Sequence, residues 1–488
     1  MSDLSAIHRL AHFTHGLDLR RVPAEVRRQG ALTFLDTVGC MIAGSGAEET
    51  SLLIAAEAGE GASGPASVIG SSLRLPTRSA ARINGYMGDI FEVNDLTGGH
   101  AGIGNVAAAL AAAEEVGASG RDLLAALICG VETTTRIYKA FYPHMKPYAE
   151  CGMVPVGVPS SVGSAAVAGR LFRLDRRQMR EALAIAAALA GWCPAETIFG
   201  QGSTIKPMLF GGSPASTGLM AARYARAGLT GPPAILESPI GYFATVAQTF
   251  DPEALEDGAW GLAEPRRKLH ACCGYIHSAV DAIVRLRAAD PEGLASATSI
   301  RAAMPGYVMP AVGKTALPRT ANEARFNARY CLALAASGTD PIVPDHSERF
   351  AEHLGRPAVA RAWDRIEIAA DPSLDHYHQA VVRLFNAGGQ TGETRVEAPR
   401  GSPNNPLSDE AVIAKFDGLA SPVFGASRAA ALRGRLLDIE TLGSLGPLFA
   451  SLRGDAAATP PTSPSRWPSE HERHVADSKY YNKAGSET

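Results

Sequence analysis

The sequence predicts a mostly α-helical protein, with a large helical domain and a smaller α+β domain. Aromatic residues make up only 6% of the 488 residues while glycine alone supplies 50, and small side chains let helices pack closely. Apolar residues recur every three or four positions over roughly the first 265 residues, as in amphipathic helices. Beyond Arg266 the apolar runs shorten and alternate, which indicates strands mixed with helices.

The first part of the chain is expected to be consecutive helices. Asn105 and Ser213, the latter followed by a first-turn proline, are possible N-caps. The predicted helices cover Ala24–Gly44, Gly104–Gly117, Arg121–Phe141, Ser161–Phe172, Arg177–Trp192 and Pro214–Ala227.

The later part should contain the α+β domain and then return to helix. A helix follows His277, and two more are expected near the C-terminus, with Ser427 as a possible cap. The predicted domains are 1–266 completed by 403–454, and 267–402, with a flexible, Pro- and Ser-rich tail at 455–488. The remaining predicted elements are the strands Ser299–Val308 and Arg365–Ala369, a hairpin of Val381–Phe385 with Thr394–Ala398, and the helices Asp409–Leu419 and Ser427–Leu437.

Composition excludes several classes of protein. The formal net charge of -3 gives no general attraction to nucleic acid or to an anionic membrane. The seven cysteines are odd in number and scattered, which favours reduced thiols and a cytoplasmic location. The N-terminus has no apolar stretch of a secretory signal, and the longest apolar run is too short to cross a bilayer, so we expect a soluble protein.

Two motifs that can indicate a cofactor or metal site are weak evidence in this sequence. Gly102-x-Gly104-x-x-Ala107 has the spacing of a dinucleotide fingerprint, but a loop rather than a strand precedes it. His376 and His378 form a lone pair that is typical of a surface, and no metal-binding spacing is present. We therefore expect neither a cofactor nor a metal.

A polar, glycine-rich loop runs from Glu92 to His100. One interpretation is a capping loop, in which Asp95 or Thr97 accepts hydrogen bonds from backbone N–H groups. The other is an acid/base cluster, because a carboxylate can orient an imidazole whose ordinary pKa suits proton transfer near neutrality.

Two further clusters contain cationic side chains. Lys206 lies shortly before the expected helix start at Ser213, where a carboxylate would find free N–H groups, although a solvated surface lysine is an equal alternative. Lys268, His270 and His277 lie at the predicted domain junction. A structural role is the stronger interpretation for His270, and His277 is the better candidate for chemistry.

These clusters resemble segments of the MmgE/PrpD family, which includes 2-methylcitrate dehydratases, cis-aconitate decarboxylases and iminodisuccinate epimerases. The resemblance covers roughly residues 5–450. Five segments in the family's order carry it: LDTVGC (35–40), ARING (81–85) with the loop that follows, the lysine segment KPMLFGGSPASTGLMAARYARAGLTGP (206–232), LHACCGYIHSAVDAI (269–283) and EARFNARYCLALA (323–335).

The resemblance implies a fold and a set of site residues. The family fold is a large helical domain with a smaller α+β lid, usually in a homodimer without metal or organic cofactor. Residue by residue, Glu92 and Asp95 match acidic positions, His100 the loop histidine, Lys206 the family lysine and His277 the lid histidine.

The chain also departs from the family pattern. Val154 and Leu209 stand where the family often has histidine, and Val312 or Gly313 stands where decarboxylases often have tyrosine, with Lys314 beside it. These changes remove polar groups from the expected pocket and argue against transferring any single family activity.

Our hypothesis is a lyase that abstracts a proton next to a carboxylate of a small polycarboxylic acid, as a 2-methylcitrate dehydratase does. His100 and His277 would be the acid/base pair, with Asp95 and Glu92 orienting His100. The predicted set is completed by catalytic Lys206 and by substrate-binding Glu92, Thr97, Lys268 and His270. An epimerase, a decarboxylase or a non-catalytic carboxylate-binding relative remain alternatives.

Overall fold

The computed structural model describes residues 5–58, 63–199, 203–256 and 258–454. Within them the protein is mostly helical, which confirms the predicted fold class. The predicted flexible tail at 455–488 lies outside the described residues.

The first hydrophobic core is formed by helices of the N-terminal half. Their inward faces are mostly Ala, Leu, Ile and Val. The helices in this half of the chain are α1 Ala6–Gly16, α2 Ala24–Gly44, α3 Glu48–Ala58, α4 Thr77–Met87, α5 Ala101–Val116, α6 Gly120–Phe141, α7 Tyr148–Cys151, α8 Gly157–Leu171, α9 Arg176–Leu189, α10 Glu196–Phe199, α11 Ser213–Arg226 and α12 Tyr242–Val246. A small antiparallel pair, β1 Ala66–Ser67 and β2 Arg74–Leu75, lies beside them.

Three predicted caps are wrong, each because the helix begins earlier than expected or continues an earlier turn. Asn105 lies inside α5, where its Nδ2 donates to Ala101 O at 2.8 Å. Ser213 follows a π-helical segment, Met208–Gly212, without a break, so α11 has no free N-terminus for an anion. The helix predicted from Ser427 begins one residue earlier and has no side-chain cap.

Close backbone packing fixes the π-helical segment against α4. A Cβ on Gly211 would lie 2.2 Å from Gly85 O, and one on Gly85 would lie 2.6 Å from Gly211 O. Only glycine permits this approach. The contact holds the turn that carries Lys206 against the chain leading into the Glu92–His100 loop.

A second core contains a mixed sheet covered by helices. The strands are β3 Ser299–Met304, β4 Ile366–Ala370, β5 Ala380–Asn386 and β6 Gly389–Val396, in the order β4-β3-β5-β6. Strand β3 is parallel to β4 and antiparallel to β5, and β5–β6 is the predicted hairpin. The helices are α13 His277–Ala289, α14 Pro291–Ser296, α15 Met309–Val312, α16 Ala321–Arg325, α17 Ala328–Ala336, α18 Pro344–Glu348, α19 Phe350–Leu354 and α20 Pro357–Arg365.

Two strands differ from the prediction. Strand β3 stops at Met304 because Pro305 begins a 3₁₀ turn, and β6 starts at Gly389, five residues before the predicted start. The hairpin turn is therefore shorter than the eight-residue loop that its Gly-rich sequence suggested.

The chain then returns to the first core. Helices α21 Asp409–Phe424, α22 Ala426–Leu437 and α23 Gly446–Leu452 bury Phe416, Leu432 and Leu448 in it. The predicted domain limits stay a prediction, but two separate hydrophobic cores agree with two domains.

No single helix among the described residues is both long enough and apolar enough to cross a membrane. The bent pair of α2 and α3 passes that test together by length and composition alone.

Candidate active site

The loop between α4 and α5 has an unusual backbone. Glu92 and His100 both have positive φ angles, 55° and 73°, which side chains other than glycine rarely adopt. Gly99 is also left-handed, and a Cβ there would lie 2.5 Å from the Tyr138 ring. Backbone strain of this kind is characteristic of functional sites, where surrounding contacts hold it in place.

The imidazole of His100 is held by an amide. Its Nδ1 lies 3.2 Å from Asn94 Oδ1, while Asn94 Nδ2 donates to Asp89 Oδ1 at 2.6 Å. A carboxylate only accepts, so Asn94 turns its NH₂ to Asp89 and its oxygen to His100. The Nδ1 of His100 therefore carries the proton, and Nε2 has the free lone pair.

Two buried lysines lie next to this histidine. Lys206 Nζ donates to Asp89 Oδ2 at 2.7 Å and also to Glu92 Oε1, and Lys268 Nζ donates to Glu92 Oε2 at 2.8 Å. The side chains of Lys206 and Lys268 are only 3% and 1% exposed. Buried charges are tolerated when they are paired in this way.

The charges have opposite effects on the acids and on the imidazole. Burial alone would raise the pKa of Glu92, but Lys206 and Lys268 hold it below its ordinary value. Burial, and then the charges of Lys268 and Lys206, lower the pKa of His100 well below its ordinary value. His100 is therefore a neutral base at physiological pH.

Asp89 is the second acid of this cluster and is paired with Lys206. Burial raises its pKa, but the ion pair with Lys206 at 2.7 Å opposes that shift. The same carboxylates raise the pKa of Lys206, although burial acts against them. The cluster thus pairs two lysines with two carboxyl groups.

A cavity of about 90 Å³ lies between the two cores, and Glu92, His100, Lys206 and Lys268 are among the residues that line it. Most of its other lining side chains are aromatic or aliphatic. The lining residues are Glu92, Leu96, Gly99, His100, Tyr138, Tyr142, Tyr148, Val154, Val156, Ile198, Lys206, Phe210, Arg266, Lys268, Cys273, Gly274, Tyr275, Phe326 and Tyr377.

The predicted roles of Asp95 and Thr97 need correction. Asp95 does not orient His100, because its Oδ1 accepts from Gly102 N at 3.0 Å and caps α5. Thr97 Oγ1 accepts from Arg266 N at 3.0 Å. Both side chains accept hydrogen bonds from backbone N–H groups, as the capping interpretation of the loop predicts.

His270 and His277 were predicted to take part in substrate binding and proton transfer, and neither lines the cavity. His270 is fully engaged, since its Nδ1 accepts from Ile342 N at 3.2 Å and its Nε2 lies 3.3 Å from Asp281 Oδ1. His277 does not line the cavity described above, and its Nε2 lies 3.3 Å from the carbonyl of Cys272. The prediction that His277 is the acid/base partner of His100 is therefore not supported by its placement.

The sequence interpretation missed several groups that line or hold the site. Asp89 lies in an ordinary helix-end sequence, and no local signal marks it. Cys273, Arg266 and the five tyrosines of the cavity come from separate segments that only the fold brings together. Val154 and Leu209 stand where the family often has histidine. Val154 lines the cavity, whereas Leu209 does not.

Comparison with known proteins agrees with this architecture. The sequence model of the MmgE/PrpD N-terminal domain matches residues 8–255, and that of the MmgE/PrpD C-terminal domain matches residues 270–438. The chain belongs to the MmgE/PrpD family. The resemblance inferred from five short segments is thereby confirmed.

Relatives in this family carry the name cis-aconitate decarboxylase. The chain is 26% identical to the cis-aconitate decarboxylase of Aspergillus terreus, an alignment that covers 91% of this chain and 95% of that protein. It is 25% identical to the cis-aconitate decarboxylase-like protein oryM of Aspergillus oryzae, over 89% and 94% of the two chains. For the human cis-aconitate decarboxylase the identity is 26%, over 90% and 93%.

Proposed function

We propose that this MmgE/PrpD protein is a lyase that acts on a small carboxylic acid, with His100 as the base that moves a proton at the carbon next to a carboxylate. The observation that carries the proposal is the state of His100. Its tautomer is fixed by Asn94, its pKa is lowered, and two buried lysines lie beside it.

The chemistry follows from that arrangement. Nε2 of His100 takes the proton, and the electron pair of the broken C–H bond moves toward the neighbouring carboxylate. Lys206 and Lys268 stabilise the charge that develops there. In a dehydration the β-hydroxyl group then leaves and takes the same proton from His100, which yields water and a carbon–carbon double bond.

Proton abstraction favours a hydro-lyase over a decarboxylase. Decarboxylation breaks a C–CO₂ bond and must then protonate a carbanion, for which a neutral imidazole is a poor donor. Dehydration of a hydroxy acid needs a base first, and His100 is suited to that step.

Decarboxylation is the second candidate because relatives at about 25% identity over most of their length bear that name. Val154 and the absence of a tyrosine at Val312 or Gly313 separate this chain from the family pattern that decarboxylases often show. The two reactions are distinguished by their products, water and an alkene in one case and carbon dioxide in the other.

The experiment is NMR of candidate acids with the purified protein in deuterated buffer. The panel contains citrate-, methylcitrate-, aconitate- and aspartate-derived acids together with alkyl- and aryl-substituted succinates and malates. We expect deuterium incorporation or alkene formation with at least one acid, and a loss on the order of 100- to 10,000-fold in His100→Gln.

His15→Gln is the matched control, because His15 is exposed on α1, and it should behave as the wild type. Equal turnover by His100→Gln and wild type would disprove the assignment of the base. Silence of the folded protein across the whole panel would instead favour a non-catalytic carboxylate-binding relative.

A further inference from the structure

We propose that the substrate carries no more than two carboxylates and, in addition, an apolar arm longer than a methyl group. The arm would lie on the wall around Val154 and extend toward a second cavity. This inference rests on the proposed function and specifies its substrate class.

The charge of the site limits the number of carboxylates. The cations at the cavity are Lys206, Lys268 and Arg266, and the anions that pair with the lysines are Asp89 and Glu92. Each lysine is thus matched by one acid, so that Arg266 supplies the remaining positive charge. A tricarboxylate would place three negative charges against it in a buried space, where uncompensated charge is strongly disfavoured.

The wall of the cavity is apolar over a continuous area. Val154, Val156 and Phe210 belong to one buried hydrophobic cluster, and Tyr148 and Ile198 pack against it. All five also line the cavity. A carboxylate placed against Val154 or Val156 would lose its hydration without gaining a partner from them, whereas a hydrocarbon would gain from burial.

The tyrosines of the cavity do not alter this balance. Burial raises the pKa of Tyr138 and Tyr275 well above the ordinary value, so their hydroxyls are neutral. The hydroxyls of Tyr148 and Tyr275 lie 3.4 Å apart and partner each other. These rings offer faces for hydrocarbon rather than charge for a further carboxylate.

A second cavity of about 530 Å³ adjoins the first and provides room for the arm. The two share Ile198 and Phe326 in their linings, and Phe199 and Leu317 continue the apolar surface into the second cavity. Its charged residues are two cations and two carboxylates, Lys314, Arg319, Glu196 and Glu323. It therefore adds no net charge that would attract a third carboxylate.

The test is a binding series of three succinates that differ only in the substituent at carbon 2. These are methylsuccinate, hexylsuccinate and tricarballylate, in which the substituent is carboxymethyl. Titration calorimetry with the full-length protein should give hexylsuccinate a Kd at least about tenfold lower than tricarballylate, with methylsuccinate between them. A tenfold difference corresponds to about 1.4 kcal/mol.

Val154→His tests the wall directly, because it places an imidazole where the apolar arm would lie. We expect the Kd of hexylsuccinate to rise about tenfold while that of tricarballylate stays the same or falls. Val116→His is the matched control, since Val116 is 44% exposed at the end of α5, and it should leave the series unchanged.

Tighter binding of tricarballylate than of hexylsuccinate, or no binding of any of the three, would overturn the inference. The readout is affinity and not turnover, so failure of the proposed proton transfer would leave the order of the series intact. Conversely, if His100 catalyses deuterium exchange but the three succinates bind in a different order, only the proposal of an apolar arm is refuted.

Discussion

At the scale of single residues, the orientation of His100 depends on one amide. Asn94 links Asp89 to the imidazole through hydrogen bonds of 2.6 and 3.2 Å. Because Asn94 presents an oxygen to Nδ1, it sets which ring nitrogen can act as the base. Asn94 is thus a positioning residue in the proposed mechanism.

Replacement of Asn94 should reveal that role. In Asn94→Leu the imidazole loses its acceptor, and we expect kcat to fall on the order of 10- to 100-fold, less than the 10²- to 10⁴-fold typical of losing the base itself. In Asn94→Asp an added carboxylate beside His100 should raise its pKa and move the acid limb of the pH–rate profile upward. A purely structural Asn94 would leave that limb in place.

Asp95 has an effect on stability rather than on chemistry. Burial, and then the charge of Asp36, raise its pKa to about 7 from the ordinary value of 3.8. A carboxyl group that stays protonated longer in the folded state makes stability fall as pH rises between those two values. The free energy of unfolding should therefore be lower at pH 8 than at pH 5 on account of this group.

Asp95→Asn should remove that dependence, since the amide oxygen can still accept from Gly102 N while the charge is gone. At pH 8 the variant is expected to be more stable by up to about 4 kcal/mol, from a shift of about three pKa units at 1.36 kcal/mol each. Urea unfolding at pH 5 and pH 8 measures this. Parallel pH dependence in variant and wild type would show that Asp95 is not protonated in the fold.

At the scale of elements, α21 holds the Glu92–His100 loop through a buried lysine. Lys415 on this helix donates to Val93 O at 2.6 Å and lies 2.7 Å from Asp36 Oδ1 on α2. Both side chains are buried. The C-terminal helices thereby fix the backbone next to Glu92.

Lys415→Met should lower the free energy of unfolding by about 3–5 kcal/mol, because it leaves Asp36 as an unpaired buried charge. The double variant Lys415→Met with Asp36→Leu should recover part of that loss. Denaturant titration of the two single variants and the double variant measures the coupling. Simple additivity of the two effects would contradict the proposed pairing.

The helices also show which of their limits can be predicted from sequence patterns. Helix α2 was predicted with its observed limits, Ala24–Gly44, because its apolar spacing is sustained over many turns. Helix starts were less accurate. Asn105 and Ser213 have the chemistry of caps, but tertiary packing extends the helical backbone past them. Cap preference is a local effect of about 1 kcal/mol, which packing outweighs.

At the scale of the whole molecule, the site lies where two hydrophobic cores meet. Arg325 on α16 of the second core donates to Ile90 O at 2.6 Å, beside the site loop, and to Ser347 Oγ at 3.0 Å. This buried guanidinium connects the lid to the chain that carries Glu92 and His100. It should keep the cavity closed around a ligand.

Arg325→Met should weaken that closure, raise KM about tenfold and increase hydrogen exchange of the amides in the Glu92–His100 loop. Arg329→Met is the control, because Arg329 donates to Trp363 O at 2.8 Å within the lid alone. Steady-state kinetics and exchange mass spectrometry check the pair. Equal behaviour of the two variants would contradict a role for Arg325 between the cores.

The whole fold also explains which site residues could be predicted. Glu92, His100, Lys206 and Lys268 stand in polar clusters within apolar surroundings, and the fold brings all four to one cavity. His277 stands in a similar cluster, but the helical direction of α13 turns it toward Cys272 O. Such directions, and the aromatic wall assembled from distant segments, follow from tertiary packing that no local pattern contains.

The central claim, that neutral His100 is the base, is tested most directly by the pH dependence of solvent deuterium exchange into the acid that the protein acts on. A base is active above its pKa, and burial beside two lysines lowers the pKa of His100 well below 6.5. The account predicts an exchange rate that stays constant from about pH 8 to well below 6.5 and collapses in His100→Gln. An acid limb at or above 6.5, or exchange that survives His100→Gln, would contradict it.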